Sequence, residues 1–231
     1  MKKQISLIAL SAIVAGSAIF ASCKKEEEPK KYAKINITHA SPNSPAINFI
    51  TGTDTLNGAN VLAYGSHTGY VNIEAGSKTI NYKYEGVDTS FLDSSFNFKE
   101  GQNYSLYIID SFHKSKPMIV VDDLSAPANG KAHLRFIYLS PNGQEIDMVR
   151  MVDTNRVAIF PKTNFKDLTS FNAFNAGVYN FEIHIAGADT SLLRMPTLVM
   201  NNGKIYTIIV RGFQGSKNKT EFKSDVFINK W

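Results

Sequence analysis

The chain has 231 residues, 43% of them hydrophobic and 19% charged, which is enough for two domains of ordinary size with buried cores. Its formal net charge is +5, but residues 32–231 hold 19 basic and 17 acidic side chains and are nearly neutral. This balance argues against a concentrated basic surface that would neutralise phosphate backbones, so we expect no nucleic-acid partner.

The first 22 residues have the order of charge and hydrophobicity that is typical of an export signal. Met1-Lys2-Lys3 is followed by an apolar stretch that ends at Phe20, and Ala21-Ser22 then precede the only cysteine, Cys23. A basic start, a short apolar run and small residues before a cleavage point predict a secretory signal peptide over residues 1–22. The run is too short and interrupted for a comfortable membrane span.

The surroundings of Cys23 resemble the lipobox of bacterial lipoproteins, in which a cysteine after small residues is acylated and becomes the first residue of the mature protein. The resemblance predicts Cys23 as the lipid attachment site, with the membrane as a partner through that lipid. The alternative is an ordinary cleaved signal that leaves a free thiol, although such a thiol would be a liability in an oxidising compartment.

Residues 23–31 form a charged tether in which Pro29 is the only apolar residue after the cysteine. Such a segment cannot bury surface and should stay solvated, holding a folded body away from the lipid headgroups. Its basic pair and acidic cluster also resemble the export tags of surface-displayed lipoproteins in some Gram-negative bacteria; a plain linker is the alternative. We expect a lipid-anchored outer-membrane protein that faces either the cell surface or the periplasm.

The rest of the chain contains an internal repeat. Five short landmarks recur in the same order at offsets of 99 to 102 residues. They are Ser41-Pro42-Asn43 and Ser140-Pro141-Asn142, Ala75-Gly76 and Ala176-Gly177, the five residues that begin at Gly86 and at Gly187, Gly101 and Gly203, and Tyr104 and Tyr206. Self-similarity at a fixed period indicates repeated structural units. We predict two domains, residues 32–128 and residues 129–231.

Both copies have the pattern of β-strands. Residues 33–38 and 79–84 alternate apolar and polar side chains, while residues 104–109 and 206–210 are dense in β-branched and aromatic side chains. Glycine-containing turn signals separate these segments at short intervals, and no mature segment keeps helical periodicity for three turns. The pattern predicts an all-β fold of antiparallel sandwiches, with a loop over residues 160–174.

The repeated Gly-x-Asp-Thr-Ser sequence admits two interpretations. A glycine tolerant of positive φ, followed by side-chain oxygens that bond nearby amides, is typical of a hairpin turn. The alternative is that Asp88 and Asp189 are ligand carboxylates. Recurrence in both copies favours the turn.

The stretch from His39 to Asn48 reads His-Ala-Ser-Pro-Asn-Ser-Pro-Ala-Ile-Asn. It resembles the opening strand and turn of domain-of-unknown-function family 4397, and residues 122–132 resemble the junction between that family's tandem copies. The resemblance covers about residues 33–231. It implies two tandem immunoglobulin-like or prealbumin-like β-sandwich domains in a bacterial envelope lipoprotein without an established activity.

The chain departs from that family's pattern at polar positions. Asn43 and Asn48 stand where the family usually has Asp, and Tyr138 stands where it has His. Asp147 alone keeps the acid at the place equivalent to Asn48. These departures argue against a family-wide metal ligand or catalytic acid at these positions.

Residue types with catalytic or metal-binding chemistry are scattered. The five histidines show no metal-ligand spacing with one another or with Cys23, and the sequence has no hydrolase elbow, calcium loop or Gly-rich phosphate loop. Asp122 and Asp123 are adjacent, so in a strand they would point to opposite faces, which is wrong for a cooperating acid pair. We expect no catalytic residue, metal or cofactor, and therefore no enzyme.

Asp54-Thr55-Leu56 resembles a bacterial periplasmic O-glycan acceptor, which makes Thr55 a candidate modification site. The aromatic residues are 15 Phe, 10 Tyr and one Trp. Phe usually fills a sandwich core, whereas sugar-stacking surfaces favour exposed Trp and Tyr, so this composition does not by itself indicate carbohydrate binding.

Together these patterns favour a lipid-anchored, non-catalytic cell-envelope protein that binds an unknown protein or polysaccharide partner or serves a structural role. The alternative is an envelope enzyme or glycan-handling component with a cleft between the two copies. Convergent carboxylates or histidines in a deep pocket between the copies would favour the enzyme.

Overall fold

The computed structural model describes residues 29–230, which form 17 β-strands and no helix. The all-β prediction is confirmed. None of the described segments is a helix long and apolar enough to span a bilayer. The predicted signal peptide over residues 1–22 and the lipid attachment site Cys23 lie outside the described residues.

Eight strands in the first half of the chain form two four-stranded sheets. They are β1 (Tyr32–His39), β2 (Ile47–Thr51), β3 (Asp54–Thr55), β4 (His67–Glu74), β5 (Gly76–Tyr84), β6 (Leu92–Phe98), β7 (Asn103–Ile109) and β8 (Lys116–Asp122). Sheet A has the order β4-β1-β7-β8, and sheet B has the order β3-β2-β5-β6. The side chains between sheets A and B form the core of the first half.

Nine strands in the second half repeat this arrangement. They are β9 (Lys131–Leu139), β10 (Ile146–Val152), β11 (Asn155–Thr163), β12 (Asn172–Asn175), β13 (Gly177–Ile185), β14 (Ser191–Arg194), β15 (Leu198–Met200), β16 (Ile205–Arg211) and β17 (Lys223–Lys230). Sheet C has the order β12-β9-β16-β17, and sheet D has the order β11-β10-β13-β14, with β15 also paired to β13. The predicted boundary between residues 128 and 129 falls in the connection between β8 and β9.

The repeated landmarks occupy equivalent places in the two halves. β1 pairs in parallel with β7, as β9 does with β16, and Ile35 lies beside Tyr104 as Leu134 lies beside Tyr206. The hydroxyl of Tyr104 accepts a hydrogen bond from the backbone N–H of Lys99 at 3.0 Å. Tyr206 accepts the corresponding bond from the N–H of Asn201 at 2.9 Å. These tyrosines recur because each closes the turn that leads into its strand.

The Gly-x-Asp-Thr-Ser sequences also form the same turn twice. The N–H of Val87 donates to the carbonyl of Tyr84, and the N–H of Ala188 donates to that of Ile185, each at 3.0 Å. The side chains of both aspartates are exposed. These hydrogen bonds are those of a hairpin turn, so the geometry favours the turn over ligand carboxylates at Asp88 and Asp189.

The predicted loop over residues 160–174 is wrong at both ends, because β11 continues to Thr163 and β12 begins at Asn172. Pro161 lies on β11, the outermost strand of sheet D. An edge strand tolerates proline because its missing N–H need not pair with a neighbour.

Sheets A and C pack face to face, so the four sheets are layered in the order B, A, C, D. Every residue of β16 is buried, and so is every residue of β7 except Asn103. A third apolar cluster joins the halves: Ala40, Tyr107, Ile109, Ile137, Leu139, Ile209 and Phe227. We call this interface between sheets A and C the seam. The strands beside it read as apolar runs because both of their faces are covered.

Candidate binding surface

The strands of the two halves run in the same direction across the seam. Arg135, the middle residue of β9, pairs with Thr207 in the first half of β16 and contacts Asp122, which pairs with the first residue of β7. Arg211, the last residue of β16, packs over the ring of Tyr64 in the loop that leads into β4 beside the end of β1. Strand starts therefore meet strand starts, and strand ends meet strand ends.

This alignment gives the body two distinct ends. We call the end at which β1 begins the tether end; β8 and β17 also end there, because Asp122 pairs with Asn103 and Lys230 with Ile205. We call the opposite end the distal end. Loops of both halves form it: residues 40–46, 85–91, 110–115, 140–145, 164–168, 186–190 and 212–222.

A buried ion pair fixes the seam near the tether end. The side chain of Arg135 is 2% exposed and that of Asp122 is 0% exposed, and Arg135 Nη1 lies 2.6 Å from Asp122 Oδ1. Arg135 Nη2 also donates to Ser105 Oγ at 3.1 Å and to the hydroxyl of Tyr107 at 3.0 Å. Ser105 in turn donates to Asp122 Oδ2 at 2.6 Å. Burying two charges is costly unless each is paired and hydrogen-bonded, and here both conditions hold.

Further hydrogen bonds close this pair into a ring across the seam. Arg135 Nε donates to Thr207 Oγ1 at 2.9 Å, and that hydroxyl donates to Asn229 Oδ1 at 2.6 Å. Asn229 Nδ2 donates to the hydroxyl of Tyr70 at 3.2 Å, and Tyr70 donates to Asp122 Oδ2 at 2.5 Å. Burial and the charge of Asp122 raise the pKa of Tyr70, so its hydroxyl remains a donor at neutral pH.

The adjacent acid, Asp123, points the other way. Its side chain is exposed, and Oδ1 accepts a hydrogen bond from the N–H of Ser125 at 2.9 Å. The two aspartates thus lie on opposite faces, as strand alternation predicts. The sequence reasoning did not identify Arg135 as the partner of the buried acid.

A different side chain in each half makes the equivalent hydrogen bond to a carbonyl of the distal loop. His39 Nε2 lies 3.0 Å from the carbonyl of Pro45, and in the second half the hydroxyl of Tyr138 donates to the carbonyl of Gln144 at 3.1 Å. Each bond ties a strand end to the Ser-Pro-Asn loop. The longer tyrosine needs space at Gly143, where a Cβ atom would lie 1.7 Å from its hydroxyl oxygen. Tyr138 can therefore stand where the family has His, because a compensating glycine makes room.

Burial controls the charge of His39, which is fully enclosed. Desolvation, with a smaller effect of the positive charge of Arg211, lowers the pKa of His39 to about 4, although the bond to Pro45 acts in the opposite direction. The imidazole is therefore neutral at physiological pH and donates through Nε2. The hydrogen bond from His39 to the carbonyl of Pro45 holds the loop, and this explains why a histidine stands at this place in the motif.

Giving the first half the tyrosine and glycine that occupy the equivalent positions in the second half should change how the free energy of unfolding depends on pH. Unfolded His39 takes up a proton near pH 6.5, whereas the folded chain does so only near pH 4, so wild type loses stability as the pH falls through this window. The double variant His39→Tyr/Ser44→Gly lacks this loss. Urea unfolding measures the free energy of unfolding of both proteins at pH 7 and at pH 4. Between these pH values wild type should lose about 3 kcal/mol more than the variant. Equal losses in the two proteins would contradict the neutral, buried state assigned to His39.

An aromatic ladder occupies the distal end of the first half. The rings of Phe91 and Tyr84 are stacked at 4.0 Å and 4°, Phe112 meets Tyr84 edge-on at 5.5 Å, and His113 lies 3.8 Å from Phe112. Phe91 and Tyr84 pack against the core of the first half, whereas His113 is exposed at the loop tip. The positions equivalent to Tyr84 and Phe91 in the second half are Ile185 and Leu192, so this feature is particular to the first half.

Left-handed backbone conformations also concentrate at the distal end. Six residues other than glycine have positive φ among the described residues, and five of these lie in or beside the distal loops. These five are Asn43 (62°), Asp110 (71°), His113 (67°), Lys162 (50°) and Lys166 (79°). Such conformations are unfavourable for residues with a Cβ atom, and they cluster where a fold fixes loops for function.

Thr55, the predicted O-glycan acceptor, lies in the two-residue strand β3 and is exposed. It borders a cleft of about 540 Å³ between β3 and β4 at the tether end, with Leu56, Val71 and Ile73 among the lining residues. Thr55 therefore lies away from the distal loops, and Cys23 is outside the described residues. Among residues 29–230, no group of three or more His, Cys, Asp or Glu side chains is placed to hold a metal ion.

Several solved structures share a distant similarity with the chain. The Bacillus anthracis TIE protein shares 11% identity over 86% of this chain and 44% of that chain, with a TM-score of 0.26. A leucine-rich repeat protein from Bacteroides thetaiotaomicron shares 16% identity over 83% of this chain and 27% of that chain, with a TM-score of 0.21. CBMbc (family CBM26) from Eubacterium rectale Amy13K, solved with maltoheptaose, shares 12% identity over 85% of this chain and 96% of that chain, with a TM-score of 0.26. The chain spans less than half of the first two proteins, and TM-scores this low support no inference.

Sequence comparison is more informative. No curated protein matches the chain. A family model described as a domain of unknown function (DUF4397) matches residues 33–149, about half of the chain. The matched segment contains sheets A and B, except for Tyr32 at the start of β1, together with β9 and the start of β10. The resemblance seen in the sequence is confirmed over these residues, and the chain belongs to the DUF4397 family.

Proposed function

We propose that this protein is a lipid-anchored, non-catalytic module of the bacterial outer membrane that binds a protein or polysaccharide partner through its distal end. The observation that carries the proposal is the parallel packing of the two halves. It separates the start of β1, which follows the tether, from the distal loops at the opposite end. A body held at Cys23 would present those loops away from the lipid.

The proposed anchor is consistent with the energetics of acylation. Each buried methylene contributes about 0.8 kcal/mol, so one chain anchors marginally and two or three anchor stably. Cys23 precedes Lys30 by seven residues. A fully extended segment of this length spans about 23 Å, so the start of β1 would stay within about that distance of the lipid headgroups.

The seam supports a binding role because it makes the two halves a common rigid support. Apolar packing and the buried Arg135–Asp122 pair both join sheets A and C. Loops carried on a rigid β-scaffold are frequent binding surfaces. The alternative, an enzyme with a cleft between the copies, has less support because packed side chains occupy the region where sheets A and C meet. Thr55 stays a predicted glycan acceptor.

Site-specific photo-crosslinking in living cells tests the proposal. A photoreactive residue placed at Val87 or Lys219, both exposed at the distal end, is expected to form an adduct with the partner. Val121 and Val199, which are exposed towards the tether end, are the matched controls and should form none. Adducts confined to the control positions would contradict a distal binding surface.

A further inference from the structure

We infer that the tether end of the body rests directly on the membrane, with exposed valines at the headgroup boundary and unpaired lysines against anionic headgroups. This inference rests on the proposed anchor at Cys23 and adds a second contact with lipid, made by the folded body itself. The partner of this surface is a bilayer that contains anionic lipids. The distal loops stay free for the partner proposed above.

Large apolar side chains that are exposed to solvent concentrate at the tether end. Residues 29–230 contain eight of them, and five lie within one residue of a strand terminus at this end: Tyr32, Val121, Val152, Val178 and Val199. One of the eight, Val87, lies in the distal loops. Val178 and Val199 are cross-strand partners that are 62% and 54% exposed. Single exposed valines are ordinary, but their segregation to one end of a rigid body indicates an interaction surface.

Strand pairing places these side chains at the same end of both halves. Val121 pairs with the second residue of β7, and Val199 pairs with Val178, the second residue of β13. The turn before β13 is tied to the start of β9, because the N–H of Ala176 donates to the carbonyl of Gly130 at 2.8 Å. Since the strand starts of the two halves meet across the seam, side chains of both halves can reach one surface at this end.

The two ends also differ in charge. The distal loops hold seven acidic and four basic side chains, which leaves 10 acidic and 15 basic side chains in the rest of residues 32–231. Four lysines near the strand termini of the tether end form no ion pair among residues 29–230: Lys34, Lys99, Lys131 and Lys204. The acids without an ion pair at this end of the described chain are Asp54, Asp123 and Asp153. An anionic bilayer would attract the tether end and repel the acidic distal loops.

Valine and lysine side chains suit different depths of a lipid surface. An apolar side chain is favourable at the boundary between headgroups and acyl chains, whereas a lysine extends its ammonium group to the phosphates above. So few contacts are weak on their own. The start of β1 would stay within about 23 Å of the headgroups, however, so the anchor gives the body a high effective concentration at the surface. The contact orients the body and does not replace the lipid on Cys23.

Fluorescence quenching in vesicles that carry the acylated protein isolated from membranes tests the inference. A fluorescent non-natural residue is placed at Val178 or, as the matched distal position, at Val87, and a lipid with a nitroxide on its headgroup is the quencher. In vesicles of phosphatidylethanolamine and phosphatidylglycerol, the residue at Val178 is expected to lose fluorescence and the residue at Val87 to keep it. The loss at Val178 should be smaller in phosphatidylcholine vesicles and at high salt, because both weaken the attraction of the lysines.

A pair of variants with the fluorescent residue at Val121 tests the valines. Val178→Glu puts a charge into the proposed contact and should reduce the quenching at Val121. The matched control Val226→Glu changes a valine in the middle of β17, which is 38% exposed, and should leave the quenching unchanged.

The outcomes separate this inference from the proposed anchor. Equal quenching at Val178 and Val87, or equal effects of the two glutamate variants, would overturn the surface. Protein that floats with the vesicles but is quenched at neither position would overturn the inference and leave the anchor intact; a protein partner or a second copy that covers the tether end would give this result. Protein that does not float with the vesicles would instead contradict the anchor.

Discussion

Replacing Arg135 with leucine is expected to lower the free energy of unfolding by about 3–5 kcal/mol. The substitution leaves Asp122 without its cationic partner at a site where its side chain is fully buried, and it removes donors to Ser105, Tyr107 and Thr207. An unpaired buried carboxylate has lost hydration without compensation. Urea unfolding at pH 7 measures the loss.

Two further variants separate the buried pair from the loss of charge in general. Arg135→Leu/Asp122→Leu removes both charges and should recover a large part of the stability. Arg194→Leu removes an arginine whose side chain is 82% exposed and which lies 3.2 Å from Glu182; it should cost less than about 1 kcal/mol. Equal destabilisation by Arg135→Leu and Arg194→Leu would contradict the stabilising role assigned to the buried hydrogen-bond network around Arg135 and Asp122.

The strands could be predicted where local preference and burial agree. The alternating segment 33–38 lies in β1, and the β-branched and aromatic segments 104–109 and 206–210 lie in β7 and β16. Prediction was wrong at residues 160–163, because Pro161 suggested a loop although an edge strand accepts proline.

The face-to-face packing of sheets A and C was not predicted, although the sequence contains a signal for it. Tyr104–Ile109 and Ile205–Arg211 are nearly continuous apolar runs, which is typical of strands covered on both faces. Arg135 interrupts such a run in β9, and a charged residue in that position indicates a buried partner. Its identity as Asp122 depends on how the halves pack, which local pattern does not specify.

The candidate binding surface was the least predictable part. Phe91, Tyr84 and Phe112 come from three separate segments, and only the tertiary fold brings their rings into contact. The Ser-Pro-Asn motif was recognised correctly as a turn, but the matching roles of His39 and Tyr138 became visible only from their bonds to equivalent carbonyls.

Replacing Cys23 with serine is expected to transfer the protein from the membrane pellet to the soluble fraction, since the acyl chains supply the proposed membrane affinity. Cell fractionation followed by immunoblotting measures the change. Lys24→Ser alters the neighbouring residue but keeps the cysteine, so it should remain in the pellet. The intact mass of the serine variant must show whether residues 1–22 have been removed, because a retained apolar signal could itself hold the chain in a membrane.

The most direct measurement is tandem mass spectrometry of the amino-terminal peptide of the protein isolated from membranes. A peptide that begins at Cys23 and carries acyl groups on that residue is the predicted result. A peptide that begins elsewhere, or one whose cysteine bears no lipid, would contradict the account of a body held at its tether end.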